Sequence, residues 1–423
     1  MLFIAQNNAF LTSSSEKMLH FSIIHTLLTL QINIYTLEYV LKKTGFIMGN
    51  PKKVNLVLSG GGIKGIAYLG VFDTAEKLGY TFENIAGVSA GALAGSYAAA
   101  GYKAHELKKI IDEFDFGKTK IGDVSKKVPA VERYMEFRKR RPGNDYSNIQ
   151  SFLESEARKG NAVFDNIPPD LSMRQRNLLS AISVFCKEGA LFDGDYIEEW
   201  VYRILMQRGI KTFADLKGGK VDKTNPQGYK VRMTAVDVNR AKVVVLPDDI
   251  SFYGMDPDKL EVARAVRMST SVPFAFKAVE IKKKEGNYFK TYNIVDGGVF
   301  DNFPFWLIDR EKQNNLIGFR ITDGNKGVFS LNTPLKILKM LISAVHDIGI
   351  PDNLVYPPYV GIIDASKVSF LDFDLTEEDK RYLYYKGKTS ARLVFNKYHA
   401  HLPKVYKIGF HAFLKRLFKG KER

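Results

Sequence analysis

The stretch Ile85-Ala86-Gly87-Val88-Ser89-Ala90-Gly91-Ala92-Leu93 joins a short apolar run, a serine between two glycines and a series of small residues. Gly-x-Ser-x-Gly is the pattern of a nucleophile elbow, in which the serine lies on a sharp turn between a strand and a helix. Gly87 and Gly91 would leave room for the neighbouring strand and helix and would permit strained backbone angles. The stretch therefore predicts a strand, a turn that exposes the Ser89 hydroxyl at the carboxyl edge of a sheet, and a helix.

A second glycine-rich turn lies upstream. Val54-Asn55-Leu56-Val57-Leu58 is typical of a strand buried on both faces, and it leads into Ser59-Gly60-Gly61-Gly62-Ile63-Lys64-Gly65. A helix is predicted over residues 66–78, which Gly79 ends. The strand, the turn and the start of the helix would together present several backbone N–H groups, an arrangement suited to binding an anion.

The same turn allows a competing interpretation, because Gly60, Gly62 and Gly65 fit the dinucleotide-binding fingerprint. That fingerprint requires an acidic residue about 20 positions further on, at the end of the second strand. The nearest candidate, Glu83, precedes the second predicted strand instead of ending it. A dinucleotide site is therefore the weaker alternative.

A third turn lies far downstream, where the predicted strand Tyr292-Asn293-Ile294-Val295 ends at Asp296-Gly297-Gly298. A serine that attacks an ester must lose its proton, so Ser89 needs an acceptor within hydrogen-bond distance. None of the seven histidines has an evident triad context: His20, His25, His105, His346, His399, His401 and His411. Asp296 would reach the same sheet edge as Ser89, and it is the candidate base.

The remaining pattern predicts strands that alternate with helices. A helix is expected over 90–100, charged helices that cover the active edge or form a lid over 102–190, and a helix over 193–209. A hairpin over 229–246 follows, then strands at 316–321 and 360–364 with a helix at 335–348 between them. Such alternation is typical of an α/β protein with three layers, α/β/α, and a mostly parallel central sheet.

The composition limits the partners and the metal chemistry. The formal charge of +16 indicates an anionic partner, either nucleic acid or an acidic membrane surface. The run Arg138-Lys139-Arg140-Arg141 has neither interleaved aromatics nor a known binding module around it, so it is interpreted as a solvated loop and no nucleic-acid binding is predicted. Cys186 is the single cysteine, which excludes an internal disulfide and a cysteine-based metal cluster; no metal site is expected.

The two ends of the chain differ from its centre. Residues 18–37 carry no charge and are long enough to span a bilayer, but histidines, amides and threonines within them make spanning costly. Residues 1–50 are thus an amphipathic extension, or upstream sequence that precedes a true start at Met48, or a membrane-associated segment. The basic tail, residues 396–423, has apolar residues among its lysines, which suits an anionic bilayer as well as a solvated tail.

With these turns identified, the sequence resembles the patatin-like phospholipase family. The three motifs occur in the family's order: Gly60-Gly61-Gly62-Ile63-Lys64-Gly65, Gly87-Val88-Ser89-Ala90-Gly91 and Asp296-Gly297-Gly298. Residues 191–196, residues 269–273 and Asn302-Phe303-Pro304 are lesser similarities. The likeness covers a catalytic domain at 51–310 and extends into residues 311–395.

The resemblance implies a serine acyl hydrolase that cleaves phospholipids or related lipid esters, without a metal or an organic cofactor. Ser89 matches the nucleophile within the elbow glycines Gly87 and Gly91, and Asp296 matches the base on the turn of Gly297 and Gly298. The oxyanion hole matches Gly60, Gly61, Gly62, Ile63, Lys64 and Gly65, with the donor amides around Gly61 and Gly62. Lys64 is expected either at the surface or in attraction to a phosphate headgroup.

Two further expectations complete this interpretation. The protein would bind an anionic membrane surface on the intracellular side, either peripherally or through residues 18–37. The alternative function is a catalytically idle lipid-binding scaffold of the same fold.

Overall fold

The structure, a computed structural model, describes residues 52–114, 124–141, 145–159, 173–322, 333–334, 341–342, 356–369 and 375–401. The predicted segment 18–37, most of the helix predicted at 335–348 and residues 402–423 of the basic tail lie outside these ranges. From Lys53 onward, the described residues belong to one compact unit. No helix in the described ranges has both the length and the apolar character that crossing a membrane requires.

The described strands form a single sheet in the order β5-β6-β3-β2-β1-β7-β8, and β4 also pairs with β3. Parallel pairs join β1 to β7, β7 to β8 and β2 to β3, whereas β4, β5 and β6 make antiparallel pairs. The predicted α/β class with a mostly parallel sheet is confirmed, with antiparallel strands added around β3. The strands are β1 Lys52–Leu58, β2 Tyr80–Val88, β3 Val231–Asp237, β4 Lys242–Leu246, β5 Val279–Glu285, β6 Tyr288–Asp296, β7 Leu316–Thr322 and β8 Val360–Asp364.

Helices cover both faces of the sheet, because successive side chains of a strand point to opposite faces. Leu56 and Leu58 of β1 pack in the cluster that contains α1, α2, α9 and α10, whereas Val57 packs on the other face with Phe303. On that second face, α5, α6 and α7 form a separate apolar cluster with β3 and β6. The helices are α1 Tyr68–Lys77, α2 Ala90–Ala99, α3 Ala104–Asp112, α4 Val124–Lys127, α5 Pro129–Lys139, α6 Asp145–Lys159, α7 Met173–Phe185, α8 Asp195–Met206, α9 Val262–Ser269 and α10 Glu377–His401.

The register of β3 determines which residues meet at the carboxyl end of the sheet. Val88, the last residue of β2, lies opposite Thr234, and Asp296, the last residue of β6, lies opposite Ala235. β4 pairs with β3 across both positions, so it occupies one edge of that strand. Because a strand has only two edges, β2 and β6 share the other edge and approach each other end to end. The residues that follow Val88 and end β6 are therefore neighbours.

Two glycines permit a close crossing of α1 and α10. A Cβ at Gly70 would lie 2.1 Å from the carbonyl oxygen of Tyr384, and a Cβ at Gly387 would lie 1.9 Å from that of Ala67. Neither position has room for a side chain, since real Cβ atoms do not approach backbone so closely. α10 thereby packs closely against the 3-10 turn Gly62–Ala67 and against α1.

Three elements differ from the sequence predictions. The run at 138–141 was expected to be a loop, but α5 continues to Lys139, because Ala130, Val131 and Tyr134 form a buried helical stripe. β5 was not predicted, since three consecutive lysines hide its alternation of buried and exposed residues. α10 continues to His401, past the expected start of the tail at 396, because Tyr398 is still buried.

Candidate functional site

Ser89 occupies a strained position directly after β2 and before α2. Its backbone angles, φ 53° and ψ −123°, lie in a region that residues with a side chain rarely adopt. Its N–H donates to the Oγ of Ser269 over 3.0 Å, and the residue is almost fully buried. The strain and the anchoring fix the backbone of this turn between strand and helix.

The two elbow glycines lie where no side chain would fit. A Cβ at Gly91 would lie 2.2 Å from the carbonyl oxygen of Leu58, at the end of β1. A Cβ at Gly87 would lie 2.5 Å from the carbonyl oxygen of Gly91 itself. Both glycines are needed for the close passage of α2 over β1 and β2.

Asp296 is completely buried at the end of β6, with its turn held against β3. Its Oδ1 accepts a hydrogen bond from the N–H of Gly298 at 2.7 Å. Its Oδ2 is buried and has no hydrogen-bond partner among the described residues. A Cβ at Gly297 would lie 2.5 Å from the carbonyl oxygen of Thr234, so glycine is required at that position.

The electrostatic environment of Asp296 favours its protonated form. Burial raises the pKa of this carboxyl to about 7, against an ordinary value of 3.8. The Ser89 hydroxyl and the Gly298 N–H act in the opposite direction and lower the pKa in part. The Ser89 hydroxyl thus acts on the carboxyl electrostatically, while Oδ2 of Asp296 accepts no hydrogen bond from a described residue. A carboxyl with a pKa near neutrality is well suited to accept a proton in one step and return it in the next.

The glycine-rich turn lies against the nucleophile. A Cβ at Gly60 would lie 3.1 Å from the Cβ of Ser89, which shows how close the turn passes. The Gly60 N–H donates to Oδ1 of Asn302 over 3.0 Å, and the Lys64 N–H donates to the carbonyl of Gly61 over 3.2 Å. These two amides are thus occupied, whereas no acceptor among the described residues takes the N–H of Gly61 or of Gly62.

The other members of the predicted oxyanion hole have different surroundings. Ile63 and Gly65 line the cavity beside Ser89, and a Cβ at Gly65 would lie 2.8 Å from the Cβ of Ala90. Lys64 is 2% exposed, so the expectation of a surface charge is wrong. Its attraction to a phosphate headgroup remains a prediction, which requires the headgroup to enter the site.

An apolar cavity of about 170 Å³ opens beside Ser89. Its walls come from four helices, among them α1 with Phe72, α2 with Leu93 and α8 with Trp200. α3 adds Ile110 from the region that was predicted to cover the active edge. The cavity surface is almost entirely hydrocarbon, which suits the chain of a fatty acid better than a polar ligand.

Two positioning residues were not assigned by the sequence analysis. The Oγ of Ser269 accepts from the N–H of Ser89 and donates to the carbonyl of Thr234 over 2.8 Å, so it joins α9, the elbow and β3. Asn302 holds the Gly60 amide, as described above. Both lie in segments that the family resemblance included, but nothing in the sequence showed which hydroxyl or amide would face the site.

We expect the Ser269→Ala substitution to lower kcat by about tenfold or more and to leave KM nearly unchanged. Loss of the hydroxyl leaves the buried Ser89 N–H without an acceptor, which costs about 1–3 kcal/mol of stability and loosens the elbow. Kinetics on a soluble ester and thermal unfolding would measure both effects. The matched control is Ser390→Ala, a buried serine in α10, which should preserve kcat. An equal loss of kcat in both variants would contradict a positioning role.

Histidines and metal ligands have no evident place in this site. The histidines within the described ranges are His105, His399 and His401, and none of them lines the cavity beside Ser89. Throughout the part of the chain that the structure describes, no group of three or more potential ligands could hold a metal ion. The acidic residue that a dinucleotide site would need is also missing from the end of β2, since Glu83 lies inside that strand.

Comparisons with known proteins show a family match over much of the described chain. The model of the patatin-like phospholipase family matches residues 56–309. The uncharacterised protein YqhO of Bacillus subtilis is 29% identical over 341 residues, which cover 80% of this chain and 96% of that protein. An uncharacterised NTE family protein of Mycobacterium tuberculosis is 30% identical over 140 residues, which cover 33% of this chain and 22% of its own length.

Two solved structures are also similar. VipD from Legionella pneumophila aligns over 82% of this chain and 67% of its own, with 18% identity and a TM-score of 0.41. The heterodimeric ExoU-SpcU complex from the type III secretion system of Pseudomonas aeruginosa aligns over 83% of this chain and 52% of its own, with 18% identity and a TM-score of 0.35.

Proposed function

The chain belongs to the patatin-like phospholipase family, and from this premise we propose that it hydrolyses acyl esters of phospholipids or related lipids with a Ser89–Asp296 dyad. The observation that carries the proposal is the meeting of β2 and β6 on one edge of β3, opposite Thr234 and Ala235. This register brings a strained serine and a buried carboxylate of raised pKa to one point. Few structural roles would require both features together.

The reaction begins with attack of the Ser89 Oγ on the ester carbonyl carbon. As the Oγ–C bond forms, the hydroxyl proton passes to Asp296, which is the adjacent acceptor. The negative charge that develops on the carbonyl oxygen is stabilised by the amides of Gly61 and Gly62, and one such donor is worth on the order of 10²–10³ in rate. Asp296 then returns the proton to the leaving alcohol.

Water completes the cycle. It attacks the acyl-enzyme ester, loses its proton to Asp296 and releases the fatty acid, while the proton returns to Ser89. The acyl chain lies in the apolar cavity, where Leu93, Ile110 and Trp200 replace water around the hydrocarbon. α3, which belongs to the range 102–190 where a helical cover was predicted, lines this cavity and helps to separate the acyl chain from solvent.

Labelling with a fluorophosphonate tests the proposal directly. The reagent bonds covalently to an activated serine, so we expect Ser89 to be the modified residue in a tryptic digest read by mass spectrometry. Prior incubation with a phospholipid should slow the labelling, and fatty acid should be released from that lipid. The control serine is Ser59, whose Oγ accepts from the Ile321 N–H at 2.9 Å and should stay unmodified. A folded protein without label on Ser89 would support the idle lipid-binding scaffold instead.

A further inference from the structure

The β5–β6 hairpin extends beyond the rest of the sheet. The pairing of β6 with β3 covers Ile294 to Asp296, and residues 288–292 continue past the carboxyl end of β3. At about 3.3 Å per residue this arm is roughly 16 Å long. Since β2 runs parallel to β3, the arm projects on the sheet edge that carries Ser89. β5 is the outermost strand on this side of the described sheet.

The outward face of this arm combines basic and aromatic side chains. Lys284 lies directly opposite Phe289 in the hairpin register, and Lys282 lies one pleat further along the same face. Both lysines are exposed. At the tip, Phe289 on this face and Tyr288 on the opposite face are 65% and 62% exposed. On the inner face of the hairpin, Ile281 is buried in the core and anchors the arm to the protein.

The inner face also carries basic and aromatic side chains at the base of the arm. The Phe252 ring has the guanidinium of Arg240 at 3.5 Å and the ammonium of Lys283 at 3.8 Å from its centroid. Phe252 also contacts Tyr292 of β6, with 5.8 Å between ring centroids. Between residues 277 and 290 there are five lysines and two glutamates. The surface formed by Lys282, Lys284 and Phe289, together with Tyr288 at the tip, is called the hairpin surface below.

We propose that the hairpin surface docks the protein on an anionic lipid bilayer. This inference rests on the proposed function, because it names the surface through which that hydrolase meets its substrate. Aromatic rings insert favourably at the headgroup level, and each basic residue near an anionic surface contributes about 1 kcal/mol. Lysines alone would be explained by protection of an edge strand against pairing with another chain. That explanation gives no reason for two exposed aromatic residues at the tip.

Vesicle binding of the full chain tests the docking surface. The Ser89→Ala background prevents lipid turnover during sedimentation with phosphatidylcholine vesicles that contain or lack phosphatidylserine. We expect Lys282→Gln/Lys284→Gln to weaken binding to the phosphatidylserine vesicles by about 30-fold, the effect of two basic residues. The matched control is Lys220→Gln/Lys223→Gln, which removes two exposed lysines from another loop and should change the affinity little.

The aromatic contribution is tested separately with Phe289→Ser, which should weaken binding about tenfold or more. Its control is Leu393→Ser, a 69% exposed apolar residue of α10 that should have no effect. Unchanged affinity in both hairpin variants, an equal loss in the controls, or equal binding to vesicles without phosphatidylserine would overturn the proposal.

Turnover of a soluble short-chain ester separates this proposal from the catalytic one. With Ser89 intact, the hairpin variants should hydrolyse that ester at the rate of the unmodified protein but should cleave vesicle lipid more slowly. A protein that hydrolyses no ester at all would contradict the dyad, while the vesicle affinities would still decide whether the hairpin surface binds lipid.

Discussion

Replacing Ser89 by alanine is expected to reduce ester hydrolysis by on the order of 10⁴-fold or more while the protein remains folded. The substitution removes the attacking oxygen, and no other hydroxyl is placed on the elbow. The backbone anchor is retained, because the N–H of residue 89 still donates to Ser269. Alanine tolerates the strained backbone about as well as serine does. Release of fatty acid, followed by mass spectrometry, measures the loss.

The control for this variant is Ser96→Ala, which lies further along α2. Ser96 is also fully buried, and its Oγ donates only to the carbonyl of Ala92 within its own helix, at 2.8 Å. Its loss should leave hydrolysis close to that of the unmodified protein. Residual hydrolysis by Ser89→Ala near the original rate, with the same thermal unfolding profile, would remove Ser89 from the mechanism.

Replacing Asp296 by asparagine is expected to lower kcat by a similar factor, on the order of 10⁴-fold. Asparagine has nearly the same shape and can still accept from the Gly298 N–H, but its amide cannot take the serine proton. The unmodified protein should show kcat/KM rising through an apparent pKa near 7, since only the ionised carboxylate is a base. A profile that lacks this limb, or an active Asp296→Asn variant, would contradict the dyad.

The pH dependence of stability should reveal the raised pKa of Asp296 independently of activity. The folded pKa, about 7, exceeds the ordinary value of 3.8, so the folded state binds the proton more tightly than the unfolded state between these limits. The free energy of unfolding of the unmodified protein should therefore fall as pH rises from about 4 to about 7, relative to the asparagine variant. Denaturant unfolding at several pH values measures this difference. Parallel curves for the two proteins would show that the pKa of the Asp296 carboxyl is not raised in the folded state.

The three glycine turns could be predicted from the sequence because each one is a local constraint. Gly87, Gly91 and Gly297 allow approaches between backbone segments that no side chain permits, and such positions leave a recognisable pattern. The strands that precede these turns are short apolar runs, and their alternation with helices predicted the three layers. The hairpin of β3 and β4 could also be predicted from the sequence, because its turn residues separate two runs rich in β-branched residues.

The rest depended on contacts that sequence patterns do not record. Ser269 is one of several small polar residues in its segment, and only the packing of α9 turns its hydroxyl toward Ser89. Asn302 meets Gly60 across 242 positions of the chain, a pairing that depends on the whole sheet order. β5 was not predicted because its three consecutive lysines hide the alternation of buried and exposed residues. Of the two expectations for Lys64, the surface charge is wrong, and the sequence gives no sign of its burial because burial of a lysine is uncommon.

The contact of α10 with the turn that follows β1 has a consequence for biosynthesis. Gly387 touches the backbone of Ala67, so the segment that carries the candidate donor amides is buttressed by a helix made some three hundred codons later. A nascent chain that already contains Ser89 and Asp296 still lacks this buttress until the ribosome has passed His401. The candidate donor amides therefore gain this support only after α10 has been synthesised.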